Sequence, residues 1–183
     1  MRSKNIGSLI FSTFFKLFAM TFVCFLASSF IFSVFGSQPV RVFIQAACIL
    51  VTMGIIYSPL HLLGGTDRNL VDAGQMKPNM LKGLYIGLAA DSPFIISGLL
   101  LILSKAGLMT QRYYGVYKLI NSIYYPLNFS ILPSDETILT VGWGAVTVSI
   151  LALFIFPIVT EFAYLLGYHR FLFKEAVFYK KKT

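Results

Sequence analysis

Charge is scarce in this chain. Of its 183 residues 12% are Asp, Glu, Lys or Arg, whereas 57% are hydrophobic, and a water-facing surface needs about twice that share of charge. A soluble globular domain is therefore excluded. Cysteine is limited to Cys24 and Cys48, both inside apolar runs, where a thiol behaves as a small hydrophobe, so neither a disulfide framework nor a thiolate metal site is expected. Histidine is limited to His61 and His169, with no pair at ligand spacing. The sequence contains no G-x-S-x-G, no H-E-x-x-H and no Walker-type glycine loop, which argues against the serine hydrolase, zinc protease and nucleotide-driven classes and leaves no cofactor to expect. Fifteen Lys and Arg outnumber seven Asp and Glu. They flank apolar runs instead of interleaving with aromatics, so nucleic acid is set aside as a partner.

Long apolar runs are what the chain does have. Residues 17–35, 42–63, 83–103 and 138–159 can each cross a hydrocarbon core of about 30 Å at about 1.5 Å per residue. The expected fold is a single all-α integral membrane domain, residues 1–183, with four transmembrane helices. Ahead of the first, Lys4, Ser8, Ser12 and Lys16 recur every four positions opposite Ile6, Leu9, Ile10 and Phe14, the pattern of an amphipathic segment in the headgroup region. A cleaved signal peptide ending near Ala27-Ser28-Ser29 is the rival reading, against which the apolar run continues to Phe35. Between the third and fourth spans lie Tyr113, Tyr114, Tyr117, Tyr124 and Tyr125, half of the ten tyrosines. Tyrosine suits the headgroup boundary, so an interfacial or partly re-entrant helix is expected there, ended by Pro126.

Four spans put both termini on one side of a membrane. That side would carry eleven Lys and Arg against four on the other, which makes it cytoplasmic. The Lys180-Lys181-Lys182 ending reads as a stop-transfer flank or a retrieval signal, and Asn128-Phe129-Ser130 forms a glycosylation triplet.

Asp91 is the acid deepest in an apolar run and is a functional candidate by default. Gly83, Gly87 and Asp91 fall at i, i+4 and i+8 on one helical face. The active reading is a proton or cation site; the structural one is an acid that fastens neighbouring helices beside a close glycine contact. Lys16, His61, Asp91 and Glu161 each occupy the cytoplasmic half of a different span and form a candidate polar site, although three of them sit where snorkelling to the interface is ordinary. Gly142, Ala145, Ser149 and Ala152 give the fourth span a small-residue face that could pack on Gly83 and Gly87. In the expected loop at residues 64–82, Asp67, Arg68 and Asp72 suggest cation and phosphate chemistry, while Asp67 as a helix N-cap and Gly74 as a helix stop explain the same residues.

Gly65-Thr66-Asp67-Arg68-Asn69-Leu70-Val71, Leu81-Lys82-Gly83-Leu84, Tyr117-Lys118-Leu119-Ile120-Asn121 with Tyr125-Pro126, and Leu166-Gly167-Tyr168 with Tyr179-Lys180 resemble a loose group of small four-helix membrane proteins of Gram-positive bacteria. The resemblance implies a bacterial plasma membrane and carries over no catalytic residue. The expected function is a non-enzymatic accessory or assembly subunit, in contact with lipid and with a protein partner or a second copy. A transport component using Asp91 is the alternative, and a lipid-active membrane enzyme the next.

Overall fold

The structure, a computed structural model, describes residues 6–34, 38–124, 132 and 137–170. Pro126, the Asn128 triplet and the basic tail with Lys174 and Lys180 to Lys182 lie outside the described residues. Every regular element among the described residues is helical: α1 (Ile6–Val34), α2 (Gln38–Asp72), α3 (Lys82–Lys105), α4 (Tyr113–Ile120), a 3-10 turn at Ser122–Tyr124, α5 (Trp143–Ala152) and α6 (Ile155–Tyr168). Four stretches are long and apolar enough to cross a membrane: Ile6–Ala27, Ala46–Asp72, Lys82–Lys105 and Trp143–Tyr168, the last combining α5 and α6. The chain is an all-α polytopic membrane protein.

In α1 the buried residues Leu9, Thr13, Leu17, Thr21 and Cys24 recur at three- and four-residue steps, while Phe11, Phe15, Phe18 and Phe22 point outward. In a bilayer the outward face meets lipid, so large apolar side chains belong there. Residues 6–16, expected as an interfacial segment ahead of the first span, are the first turns of α1, and the apolar stretch of that helix is Ile6–Ala27 instead of residues 17–35. Cys48 of α2 packs against the core cluster that contains Cys24.

The second helix does not stop at Leu63. It runs to Asp72, so Gly64 to Asp72 is helix instead of loop, and Asp67 is an interior residue instead of an N-cap. The stripe of buried residues Ile56, Leu60, Leu63 and Asp67 keeps helical spacing straight through the two glycines. The stop comes at Gly74, whose φ of 71° is open to glycine at little cost. Its N–H donates to the Val71 carbonyl at 2.9 Å and that of Gln75 to Leu70 at 2.9 Å, the paired bonds that close a helix with a left-handed residue.

Helix α3 keeps the limits expected from its flanking lysines. Pro93 inside it cannot donate to the Ala89 carbonyl, and the Ser92 hydroxyl donates to that oxygen at 2.9 Å. Such local hydroxyl donation is how a transmembrane helix tolerates proline. At its far end Lys105 Nζ donates to the carbonyl of Leu139 at 2.7 Å and to that of Val141, tying the approach to α5 onto α3.

Helix α4 turns back into the bundle. The Tyr113 hydroxyl donates to Ser97 Oγ at 3.0 Å, Asn121 Nδ2 to the same oxygen at 3.1 Å, and Ser122 Oγ to the Thr21 carbonyl at 2.9 Å. Tyr117 shares a 2.7 Å bond with Ser149 Oγ of α5.

The last transmembrane stretch is interrupted at Leu153 and Phe154, between α5 and α6. Pro157 explains the position: it has no N–H for the carbonyl four residues earlier, which is Leu153, and its ring crowds that oxygen. The turn closes with tighter bonds, Leu153 N–H to Ile150 at 3.0 Å and Phe154 N–H to Leu151 at 3.1 Å. The helical part of this span reaches Tyr168, past the residue 159 expected from hydropathy, so Glu161 lies within it and not at its end.

Candidate functional site

The densest polar arrangement joins α2, α3 and α6 at the end of the bundle where α2 gives way to α3. Lys82 Nζ lies 2.6 Å from Asp67 Oδ2, with the two side chains 8% and 1% exposed. The Tyr164 hydroxyl donates to the same oxygen at 3.1 Å, while Asp67 Oδ1 is buried with no hydrogen-bond partner among the described residues. A carboxylate this enclosed is held by its cation and its hydroxyl donor together. Just below, Glu161 Oε2 accepts the Leu84 backbone N–H at 2.6 Å, satisfying one of the donors that the first turn of α3 leaves open. Thr160 Oγ1 stands 2.7 Å from the Pro157 carbonyl and 3.1 Å from that of Gly83. Outside this core, Asp72 takes Arg68 at 3.0 Å and Arg170 at 2.8 Å, and Arg170 also donates to Asn69 Oδ1.

These bonds depend on small residues. A methyl group on Gly83 would stand 2.7 Å from the Thr160 carbonyl oxygen and one on Gly87 2.8 Å from Pro157 Cα. The glycine face of α3 therefore meets α6 at Pro157, Thr160, Glu161 and Tyr164. It does not meet the small-residue face of α5. On that face a methyl group on Gly142 would meet nothing within 4 Å, Ala145 is half-buried, and Ser149 bonds Tyr117 of α4. The difference follows from the break at Leu153 and Phe154 and from α4, whose tyrosines fill the space beside α5. Burial pushes the Tyr117 hydroxyl up to about 12, against the opposing effect of its bond to Ser149.

The four residues expected to form one polar site are spread along the bundle. Glu161 meets Leu84, seven residues before Asp91 and so about 10 Å away along α3. His61 stacks on Tyr57 at 5.3 Å between centroids, and its backbone lies under Gly167. Lys16 falls about 160° round α1 from Phe14 and Phe18 at 3.6 residues per turn, and those two phenylalanines line a cavity with Pro93 of α3. Asp91 is 2% exposed, and its Oδ2 finds no hydrogen-bond partner among the described residues. The residues that sequence reasoning misses are Lys82 and Tyr164. Lys82 reads as a membrane flank, and Tyr164 falls beyond the expected end of the fourth span at residue 159. The one available signal is the helical stripe carrying Asp67 inward.

Two cavities lie along the seam of α1 and α3. One of about 450 Å³ is lined by Phe14, Phe18, Phe22, Phe25, Pro93 and Leu119, among others. The other, of about 340 Å³, shares Phe14 and Pro93. Both are apolar. Among the described residues no three His, Cys, Asp or Glu side chains group as metal ligands would. No protein-family model, curated protein or solved structure matches the chain.

Proposed function

We propose that this polytopic membrane protein is a non-enzymatic accessory or assembly subunit of a membrane complex. The observation that carries the reading is that the acids at the α2–α3 end are engaged by the chain's own donors: Asp67 by Lys82 and Tyr164, Asp72 by Arg68 and Arg170, and Glu161 by the Leu84 amide. A lipid-active enzyme would need Asp67 and Asp72 to hold a cation against a phosphate, and both already hold cations of the protein. What the exterior offers is apolar helix, including Phe18 and Phe22 of α1. With no hydrophobic drive between helices in lipid, association rests on the fit of such faces.

A photoreactive amino acid at Phe18 or Phe22 tests this in native membranes. A discrete protein adduct, of a partner or of a second copy, is expected. Adducts to lipid alone from these positions and from outward positions of α3 and α6 would remove the reading.

The location belonging to it is a bacterial plasma membrane with both termini and the Gln75 turn cytoplasmic, supported by the excess of Lys and Arg at that end. Reporter fusions at Gln75 should give a cytoplasmic signal and fusions at Gly107 an external one; the reverse pattern would invert the topology.

A second reading, a transport component, is favoured by one observation: the buried, unbonded Oδ2 of Asp91.

A further inference from the structure

We propose that Asp91 and the interrupted backbone at Leu153 and Phe154 form an intramembrane proton site, in which the neutral carboxyl group of α3 faces the Leu153 carbonyl. The inference deepens the transport reading by naming the bound species and its acceptor, and it does not require that the proton cross the membrane.

Register brings the two together. A methyl on Gly87 would touch Pro157 and Thr160, and one on Gly98 would touch Leu153 and Ile150. Asp91 lies between these two glycines, and at 3.6 residues per turn all three fall within about 40° of one another round α3. It therefore faces the same neighbour as they do, at the level between Pro157 and Leu153, where the helix is broken. That neighbour presents a carbonyl whose normal helical donor is missing, because Pro157 has no N–H. Asp91 in turn is 2% exposed and carries an oxygen without a donor. An ionised carboxylate cannot remain so enclosed and unpaired, and it neutralises by taking a proton. The resulting O–H is a donor at the level where the Leu153 oxygen lacks its usual helical donor. Interrupted transmembrane helices expose carbonyls to protons and cations in this way. Beside Asp91 on α3, Ser92 already supplies its hydroxyl to the carbonyl that Pro93 leaves open.

The surrounding groups leave the proton as the ligand. From α6 the titratable groups facing α3 are Glu161 and Tyr164, bonded to Leu84 and Asp67 toward the other end. From α4 the buried titratable groups are Tyr113 and Tyr117, bonded to Ser97 and Ser149, and Tyr114 and Lys118, whose ammonium lies over the Tyr114 ring at 4.1 Å. The buried face of α1 presents Leu9, Thr13, Leu17, Thr21 and Cys24, and the half-buried Lys16 stands about 160° round α1 from Phe14, which meets Pro93 of α3. Among the described residues no salt bridge reaches Asp91. A bound metal ion would require several oxygen ligands, whereas a proton needs one carboxylate and one acceptor.

Infrared difference spectra of the full chain in lipid nanodiscs test the site at neutral pH. The expected result is a protonated-carboxyl band that Asp91→Asn removes and that moves to higher frequency in Pro157→Ala, where the restored N–H competes for the Leu153 carbonyl. A band of ionised carboxylate at Asp91, or a protonated band that Pro157→Ala leaves in place, would overturn the proposal. The wild-type protein alone provides a second measurement free of folding effects. A lipophilic carbodiimide, which reacts with protonated carboxyl groups, should label the peptide containing Asp91, and failure to label it would also overturn the site. Proton flux into reconstituted vesicles reports on transport separately, since its absence beside a positive band removes the transport reading and leaves the proton site standing.

Discussion

Lys82→Met is expected to destabilise the folded bundle by about 3–5 kcal/mol, the usual cost of removing one partner from a buried ion pair. Asp67 would keep only the Tyr164 hydroxyl on Oδ2, and its Oδ1 is already without a partner among the described residues. The charge would then sit beside Leu63, one turn away, and Tyr164, both buried, with no compensating cation. The double variant Asp67→Leu with Lys82→Met removes both charges and should recover most of the loss, because an ion pair exchanged for apolar groups of similar size is often neutral or better. Tyr164→Phe removes a single hydrogen bond and should cost about 1.5–3 kcal/mol, the range for a bond to a charged group. Denaturation with a strong detergent in mixed micelles measures all three. A Lys82→Met variant as stable as the wild type, or a double variant no better than that single one, would refute the role given to the pair.

The same cluster shows where local sequence pattern stops being informative. The limits of α3 are legible because Lys82 and Lys105 bracket an apolar run, and the stop at Gly74 is legible because a left-handed helix end favours glycine. The end of α2 is not, since Gly64-Gly65 followed by Asp67, Arg68 and Asp72 has the composition of a loop. That composition is compatible with helix here because Gly64 admits the backbone of α6 and each of those charges has a partner. Apart from Arg68, four residues before Asp72, the partners of the two acids are 15, 97 and 98 residues away in the chain, beyond the reach of any periodicity. Pro157 signals a kink, but its steric conflict is with a carbonyl four residues earlier, so the break falls at Leu153. Asp91 is visible as an anomaly from composition alone. Its orientation toward that break requires knowing which face of α3 meets α6, and the two flanking glycine contacts supply it.

Gly167→Ala and Gly64→Ala are each expected to cost about 3 kcal/mol or more, at the upper end of what overpacking a rigid contact does. A Cβ on Gly167 would fall against the His61 carbonyl oxygen and stand 2.7 Å from its carbon, and one on Gly64 would fall against the Tyr164 carbonyl and 2.7 Å from the Tyr168 nitrogen. Every one of these neighbours is backbone, so no side-chain rotation can relieve the conflict, and α2 and α6 must separate. Separation also draws Asp67 away from Tyr164, which makes the effect of Gly64→Ala non-additive with Tyr164→Phe: the second change should cost less in the first variant than in the wild type. Gly83→Ala should behave similarly against the Thr160 carbonyl and Glu161 Cα. Gly142→Ala and Gly115→Ala meet nothing within 4 Å and serve as controls. Thermal unfolding in micelles, read as the loss of the monodisperse species, should separate the two groups of variants. If alanine at residue 167 is tolerated as well as alanine at residue 142, the close approach of α2 and α6 is wrong, and with it the geometry that buries Asp67.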